Sequence, residues 1–219
     1  MYDIAFISYN ELNAEENYAK LLARFPKAKR VDGVNGIHQA HIAAAKKCLT
    51  RMFWVVDGDA EIVESFNFDY NVRDENDTVH VWRSINPVNG LEYGYGGVKL
   101  LPRLLTLQMN TDSVDMTMSI SSKFKAHDTV SNITRFDTDP FNSWRSAFRE
   151  CCKLAVIGDT EALIRLDRWC KIGSNIDALE GASAGKIYGQ ENASNKEALA
   201  KINDFTWLKD QWSLEKSQQ

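Results

Sequence analysis

Met52-Phe53-Trp54-Val55-Val56-Asp57-Gly58-Asp59-Ala60-Glu61-Ile62 is the stretch that sets the architecture of this 219-residue chain. Five apolar residues, two of them β-branched valines, run into two carboxylates separated by one glycine. A short continuous apolar run that stops at a turn signal predicts a strand buried on both faces, as in α/β sheets. Ligands of open α/β sheets gather beyond the carboxyl ends of the strands, where Asp57 and Asp59 fall. Gly58 between them leaves room for a ligand or ion to approach the backbone. Two hard oxygen donors one residue apart suit Mg²⁺ or Mn²⁺, with water and substrate phosphates filling the other positions. The alternative is an Asp-Gly hairpin turn with Asp59 capping the next element.

Upstream, Ile4 to Ser8 predicts another strand buried on both faces, ending in the polar loop Ser8-Tyr9-Asn10-Glu11. Asn13, with Glu16 three residues on, predicts a capping box for a helix whose apolar face is Leu21, Leu22 and Phe25 and which Pro26 stops. Residues 28–31 predict a short strand ended by Asp32-Gly33. Residues 37–49 predict a helix with Ile37, His41, Ala44, Ala45 and Cys48 along one stripe. This β-α-β-α-β order predicts a parallel sheet with right-handed crossovers. It contains no G-x-G-x-x-G and no G-x-x-x-x-G-K-[ST]. Phosphates would therefore need a cation rather than a glycine cradle, and Asp57 and Asp59 answer that need.

Downstream, Phe66, Phe68 and Tyr70 alternate, residues 78–84 predict a strand, and residues 86–90 predict a turn. Tyr93-Gly94-Tyr95-Gly96-Gly97 reads either as a ligand-binding loop whose tyrosines stack on a ring or as a flexible loop before a helix. Residues 119–125 predict a short strand and turn before His127. Asp139 followed by Pro140 predicts the start of a helix over about 140–154. Asp137 and Asp139 repeat the spaced-carboxylate pattern, so they are candidates for a general base as well as for a helix cap. A further helix is expected over 160–171. After it, Gly181 to Lys186 reads as a glycine- and serine-rich stretch, with Lys186 either folding back on a diphosphate or solvated in a linker. Residues 213–219 are expected to fray.

The composition, 44% hydrophobic and 26% charged, is that of an ordinary globular chain with one substantial core. No apolar run is long enough for a membrane span, and the first residues carry no signal-peptide pattern. Cys48, Cys151, Cys152 and Cys170 lack metal-finger spacing, so a cytoplasmic setting is expected. Net charge is −4, which gives no global footprint for nucleic acid. Residues 57–77 hold eight acids and one base, whereas residues 97–153 hold eight bases and six acids. Any polyanion contact would be local to the later part of the chain.

In combining this strand–helix order, the Val55-Val56-Asp57-Gly58-Asp59 strand tip, a glycine-rich segment and a later acid at a helix start, the chain resembles the GT-A glycosyltransferases over roughly residues 3–155. The resemblance implies an α/β, Rossmann-like, mainly parallel sheet flanked by helices over residues 1–155, with a helical extension over 156–219. It implies Mn²⁺ or Mg²⁺ held by Asp57 and Asp59 against the diphosphate of a nucleotide sugar, UDP-linked. Base and ribose would lie at Ser8, Tyr9, Asn10 and Glu11, and the sugar near Gly96 and Gly97. A late metal ligand is implied, for which His127 is the candidate, and Asp139 or Asp137 would serve as base. The family's usual Glu-Asp pair is absent there.

Phe6 to Glu11, Phe53 to Ile62 and Phe136 to Cys152 are similar to small glycosyltransferases of large tailed bacteriophages. That similarity implies transfer to hydroxymethylcytosine in phage DNA, in the host cytoplasm, with Lys99, Arg103, Lys123, Lys125, Arg145 and Arg149 as DNA contacts. A protein or glycan acceptor, a nucleotidyltransferase and a non-catalytic nucleotide-sugar-binding module are the alternatives.

Overall fold

The computed structural model describes residues 1–111 and 116–217, and of residues 93–95 the backbone alone. Contacts divide the chain into two units, residues 1–86 with 92–135 and residues 87–91 with 136–219. The expected boundary at 155/156 falls inside a helix of the second unit.

The first unit runs β1 (Asp3–Ser8), α1 (Ala14–Arg24), β2 (Lys29–Asp32), α2 (Ile37–Lys47), β3 (Met52–Asp57), β4 (Ala60–Ile62), β5 (Val79–Ile85), β6 (Glu92–Pro102), α3 (Arg103–Leu107), α4 (Met116–Ile120) and β7 (Phe124–Thr134). Its strands form one sheet ordered β2-β1-β3-β6-β5-β7-β4. β2, β1 and β3 are parallel neighbours, as the strand–helix alternation predicts. β6 then enters antiparallel between β3 and β5. β7 is parallel to β5, and β4 pairs antiparallel with β7. The unit is therefore a mixed, Rossmann-like α/β sheet flanked by helices.

Alternation along β3 explains its unbroken apolar run. Trp54 and Val56 face one core with Phe6, Leu21 of α1, Phe66, Phe68, Trp82 and Leu100. Phe53 and Val55 face the other, with Val31, Val81, Leu101, and Ala44 and Ala45 of α2. A polar side chain at any of these positions would forfeit about 1.5–3 kcal/mol of burial and gain no water.

Several local expectations give way to tertiary contacts. Asn13 precedes α1 but forms no side-chain cap; its amide donates instead to the Arg135 carbonyl at 3.1 Å. Phe66, Phe68 and Tyr70 do not form a strand. Phe68 has a left-handed φ of 57°, and its ring makes edge contacts with Trp54 and Phe66. The glycine-rich segment expected as a loop is β6, a central strand. The tyrosine-stacking expectation rests on side chains of 93–95 that lie outside the described residues. Residues 116–120 form α4, and the strand expected at 119–125 begins at Phe124 and runs to Thr134.

The second unit carries α5 (Pro140–Ile157), α6 (Thr160–Lys171), α7 (Ile176–Glu191), α8 (Lys196–Ala200) and α9 (Phe205–Ser217). Asp139, Asp159, Asn175 and Asn195 each cap a helix start by accepting from the backbone N–H three residues on. Gly158 ends α5 in the left-handed conformation, φ 64°. The stretch from Gly181 to Lys186 is not a linker but the middle of α7. Gly181, Gly185 and Gly189 lie against the backbone of α5 at Trp144, Phe148 and Cys152, the same four-residue spacing on both helices. That contact makes α5 part of the helical unit, which is why the division falls before α5 and not at 155. Residues 205–217 are helical, including 213–217 of the end expected to fray, with Leu208 buried in a cluster with Trp144 and Phe148. Among the described residues no helix is long and apolar enough to cross a membrane.

Candidate functional site

Strand order places the site. The chain goes from β1 outward to β2, then returns past β1 to β3, so the carboxyl ends of β1 and β3 flank a topological switch point, where open α/β sheets bind ligands. Ser8 ends β1 and Asp57 ends β3.

Four charged side chains meet at this edge. Lys99 of β6 donates to both carboxylate oxygens of Asp57 at 2.8 Å. The lysine is only 4% exposed. Glu11 folds back so that its Oε2 accepts from the Tyr9 N–H at 2.7 Å. A Cβ added at Gly58 would lie 2.6 Å from that same oxygen. The space expected at Gly58 for a ligand is thus filled by the chain's own carboxylate. The Gly58 carbonyl accepts from the buried Asn17 amide at 3.0 Å, and the Asp59 carbonyl from the Arg135 N–H at 2.7 Å. These bonds fix the turn. Burial, Asp57 and Glu11 together push the Asp59 pKa up to about 7, against a smaller opposing pull from Lys99. Burial also raises Asp57, opposed by Lys99.

That shift has a measurable sign. An acid whose folded pKa is raised contributes stability that is present below its unfolded value, near 4, and lost as pH rises through about 7. His41 and His80, pushed down to about 3 and about 4 chiefly by burial, act in the opposite sense, between those values and pH 6.5. The difference between two proteins isolates Asp59. We expect Asp59→Asn to match the wild type in Tm near pH 4.5 and to exceed it increasingly up to pH 8. Parallel Tm curves would mean that Asp59 titrates normally.

β1 brings the next candidates to the same edge. The Ser8 hydroxyl donates to Asp32 at 2.5 Å and accepts from Arg30 Nε at 3.0 Å, and it lowers the Asp32 pKa. Tyr9 and Asn10 are exposed beside it. β3 and β6 pair at Val56 and Val98, so one step further Gly97 lies beside Asp57. Gly97 is glycine for a neighbour's sake, since a Cβ there would be 2.5 Å from the buried Asn132 amide. Asn132 accepts from Ser84 and Ser131 and donates to Thr134.

His127 is not brought to the carboxylates. It pairs with Trp82 across β5 and β7, three strand spacings from β3, or about 14 Å. Its ring stacks on Trp82 at 4.3 Å and bonds to His80 at 3.1 Å. Trp82 lines the core face opposite the one Asp57 continues, so His127 cannot complete a shell there.

Asp137, Asp139 and Lys186 belong to the second unit. Both Asp139 oxygens are engaged by Asn142, through its backbone N–H at 2.8 Å and its side chain at 2.6 Å. Asp139→Ala is expected to cost about 1 kcal/mol in urea unfolding, with Asp139→Ser recovering most of it. A catalytic base would instead leave the serine variant as inactive as the alanine one. Lys186 lies near Cys170, whose thiol is lowered to about 7 mainly by a hydrogen bond with Cys151.

As folded, the Asp57, Asp59 and Glu11 carboxylates lie near one another around a single ammonium, without the spacing of an assembled metal shell. Both Asp57 oxygens are taken by an ammonium, and among the described residues no three His, Cys, Asp or Glu side chains are grouped to hold a metal. Sequence reading missed Lys99 in this role, although a lysine inside Val98-Lys99-Leu100-Leu101 signals a buried cation that needs a partner.

No family model matches the chain, and no curated protein matches it. Among solved structures, HddC from Yersinia pseudotuberculosis aligns with a TM-score of 0.37 and 13% identity, over 60% of this chain and 92% of that one. A likeness that remote bears on neither activity nor substrate.

Proposed function

We propose that the chain is a nucleotide-sugar-dependent glycosyltransferase with its donor site at the β1/β3 switch point of the first unit. The observation that supports this is the meeting of Glu11, Asp57, Asp59 and Lys99 at that edge, beside Gly96-Gly97 and the Ser8–Asp32 pair. Ser8, Asp32 and the exposed Tyr9 offer hydroxyl, carboxylate and ring to a nucleoside. Asp57 and Asp59 would hold a divalent cation there, and that cation would neutralise a diphosphate. In the transfer, the bond from the sugar's anomeric carbon to the diphosphate breaks, its electron pair leaves with the diphosphate, and the acceptor oxygen bonds that carbon while its proton is lost to solvent.

For the acceptor we propose a hydroxyl, with hydroxymethylcytosine in DNA the first to test. Lys99 is not available as a DNA contact, and Arg103 donates to the carbonyls of Ala45 and Cys48. Lys123 and Lys125 are paired with Asp77 and Glu75. Any DNA path would therefore lie elsewhere or break those pairs.

The test is a thermal-shift panel of nucleoside-diphosphate sugars, since a ligand bound only by the native state raises Tm. Transfer from the stabilising donor to hydroxymethylated DNA, protein and glycan acceptors would then be assayed. A shift of several degrees with one donor is expected. No shift with any donor at millimolar concentration would remove the glycosyltransferase reading. Nucleoside triphosphates stabilising in their place would favour a nucleotidyltransferase.

A further inference from the structure

We infer that Cys151 and Cys170 are a reversible dithiol–disulfide pair joining α5 to α6, with the partly exposed Cys170 meeting the oxidant and the buried Cys151 resolving it. The inference concerns the helical unit alone and is independent of the donor-site reading.

Two helical stripes bring these sulfurs together. On α5, Ala147, Cys151 and Leu154 recur at helical spacing and face the cluster shared with α6. On α6, Ala162, Leu166 and Trp169 face the same cluster, and Cys170, one turn beyond Leu166, packs against it. The two thiols hydrogen-bond across this contact, and both are free in the structure. A disulfide needs its sulfurs at about 2 Å and its Cα atoms within about 7 Å. Hydrogen-bonded thiols on two packed helices have little distance left to close. Cys152, next in sequence, points about 100° further around the helix, into the separate cluster of Trp144, Phe148 and Leu208. Cys48 belongs to the first unit.

The two thiols differ in the way such chemistry needs. Cys151 is fully buried, and burial pushes its thiol well up. Cys170 is partly exposed. Its thiol is lowered to about 7, first by the hydrogen bond from Cys151, against an opposing effect of burial, and then by the Lys186 ammonium of α7. Lys171 and Asp167, an ion pair one turn apart on α6, pull on it in opposite directions. Thiolate is the nucleophile, so a peroxide reacts at Cys170. The Cys170 sulfur bonds one peroxide oxygen, the O–O bond breaks, and the leaving hydroxide takes a proton to become water. This leaves a sulfenic acid. The Cys151 sulfur then bonds the Cys170 sulfur, the S–O bond breaks, and the Cys151 proton leaves with the hydroxide as a second water. Two thiols give up two electrons and one peroxide is reduced, and a dithiol reductant reverses the bond by exchange.

The experiment treats the whole, fully reduced chain with a small excess of hydrogen peroxide and then counts thiols in denaturant. The wild type carries four and is expected to lose two, to become lighter by two hydrogens, and to regain both thiols in dithiothreitol. Cys170→Ser should keep all its remaining thiols. Cys151→Ser should stop at a sulfenic acid on Cys170, trapped by dimedone, with no disulfide. Cys152→Ser leaves the pair intact and should still lose two thiols, which separates Cys151 from its neighbour in sequence. Four thiols persisting in the wild type would overturn the inference. So would a disulfide through Cys152 or between two chains, or the loss of two thiols by Cys170→Ser. Should the buried Cys151→Ser fail to fold, the wild type and the other two variants still decide.

Discussion

Replacing Gly185 with alanine is expected to destabilise the helical unit by about 3–5 kcal/mol, a large share of the roughly 5–15 kcal/mol that holds a typical domain folded. The added Cβ would lie 2.7 Å from the Cα of Phe148 and closer still to its carbonyl oxygen. Backbone cannot rotate away as a side-chain tip can, so α5 and α7 must separate. Separation opens the cluster of Ala147, Cys151, Leu166, Trp169 and Ala182 that the two helices build with α6. The better helix propensity of alanine returns only about 1 kcal/mol. Ser183→Ala, on the exposed side of the same helix, should change stability by less than about 0.5 kcal/mol. Urea unfolding followed by tryptophan fluorescence is suited to the test, because Trp144, Trp169, Trp207 and Trp212 all belong to this unit. An unaltered midpoint for Gly185→Ala would mean that the helices do not approach as described.

Asp57→Ala carries the second large effect. Read from sequence alone, a carboxylate at a strand tip should be dispensable for folding. The Lys99 ion pair changes that expectation. Removing Asp57 leaves a nearly buried ammonium without its partner, and breaking a fully buried pair costs about 3–5 kcal/mol. Asp57 keeps partial contact with water, so we expect about 2–3 kcal/mol. Sugar transfer should fall below detection, because the proposed donor site loses the carboxylate at the tip of β3. Asp57→Asn keeps an acceptor for the lysine but not the charge, and should recover part of the stability with little of the activity. Full transfer activity in either variant would remove Asp57 from the site.

How much of this was legible beforehand depends on the range of the forces involved. β1 and β3 announced themselves because burial on both faces leaves an uninterrupted apolar run. α5 did so because Asp139-Pro140 is a local start signal. α7 and β6 did not, for one shared reason. Their glycines look like breaks when only neighbours in sequence are considered. In the folded chain Gly181 and Gly185 admit another helix's backbone, and Gly97 admits the side chain of Asn132. The site was half legible. Paired acids at a strand tip identify Asp57 and Asp59, whereas Lys99 and the inward fold of Glu11 depend on β6 and α1 arriving from elsewhere. His127 was chosen by residue type, which carries no information about which face of the sheet a strand presents.

The insertion of β6 between β3 and β5 also bears on synthesis. On a ribosome, β1, β2 and β3 emerge within the first 57 residues and can begin to pair. The free edge of β3, Met52 to Val56, has its hydrogen-bonding partner only in residues 98–102. For some forty residues of translation, at about 5–20 residues per second, the nascent chain presents its most apolar strand with one row of amides and carbonyls unmatched. Such an edge is a template for pairing with another chain. Chaperone dependence during expression, and aggregation of chains truncated before residue 92, are the expected consequences of where that one strand falls in the order of the sheet.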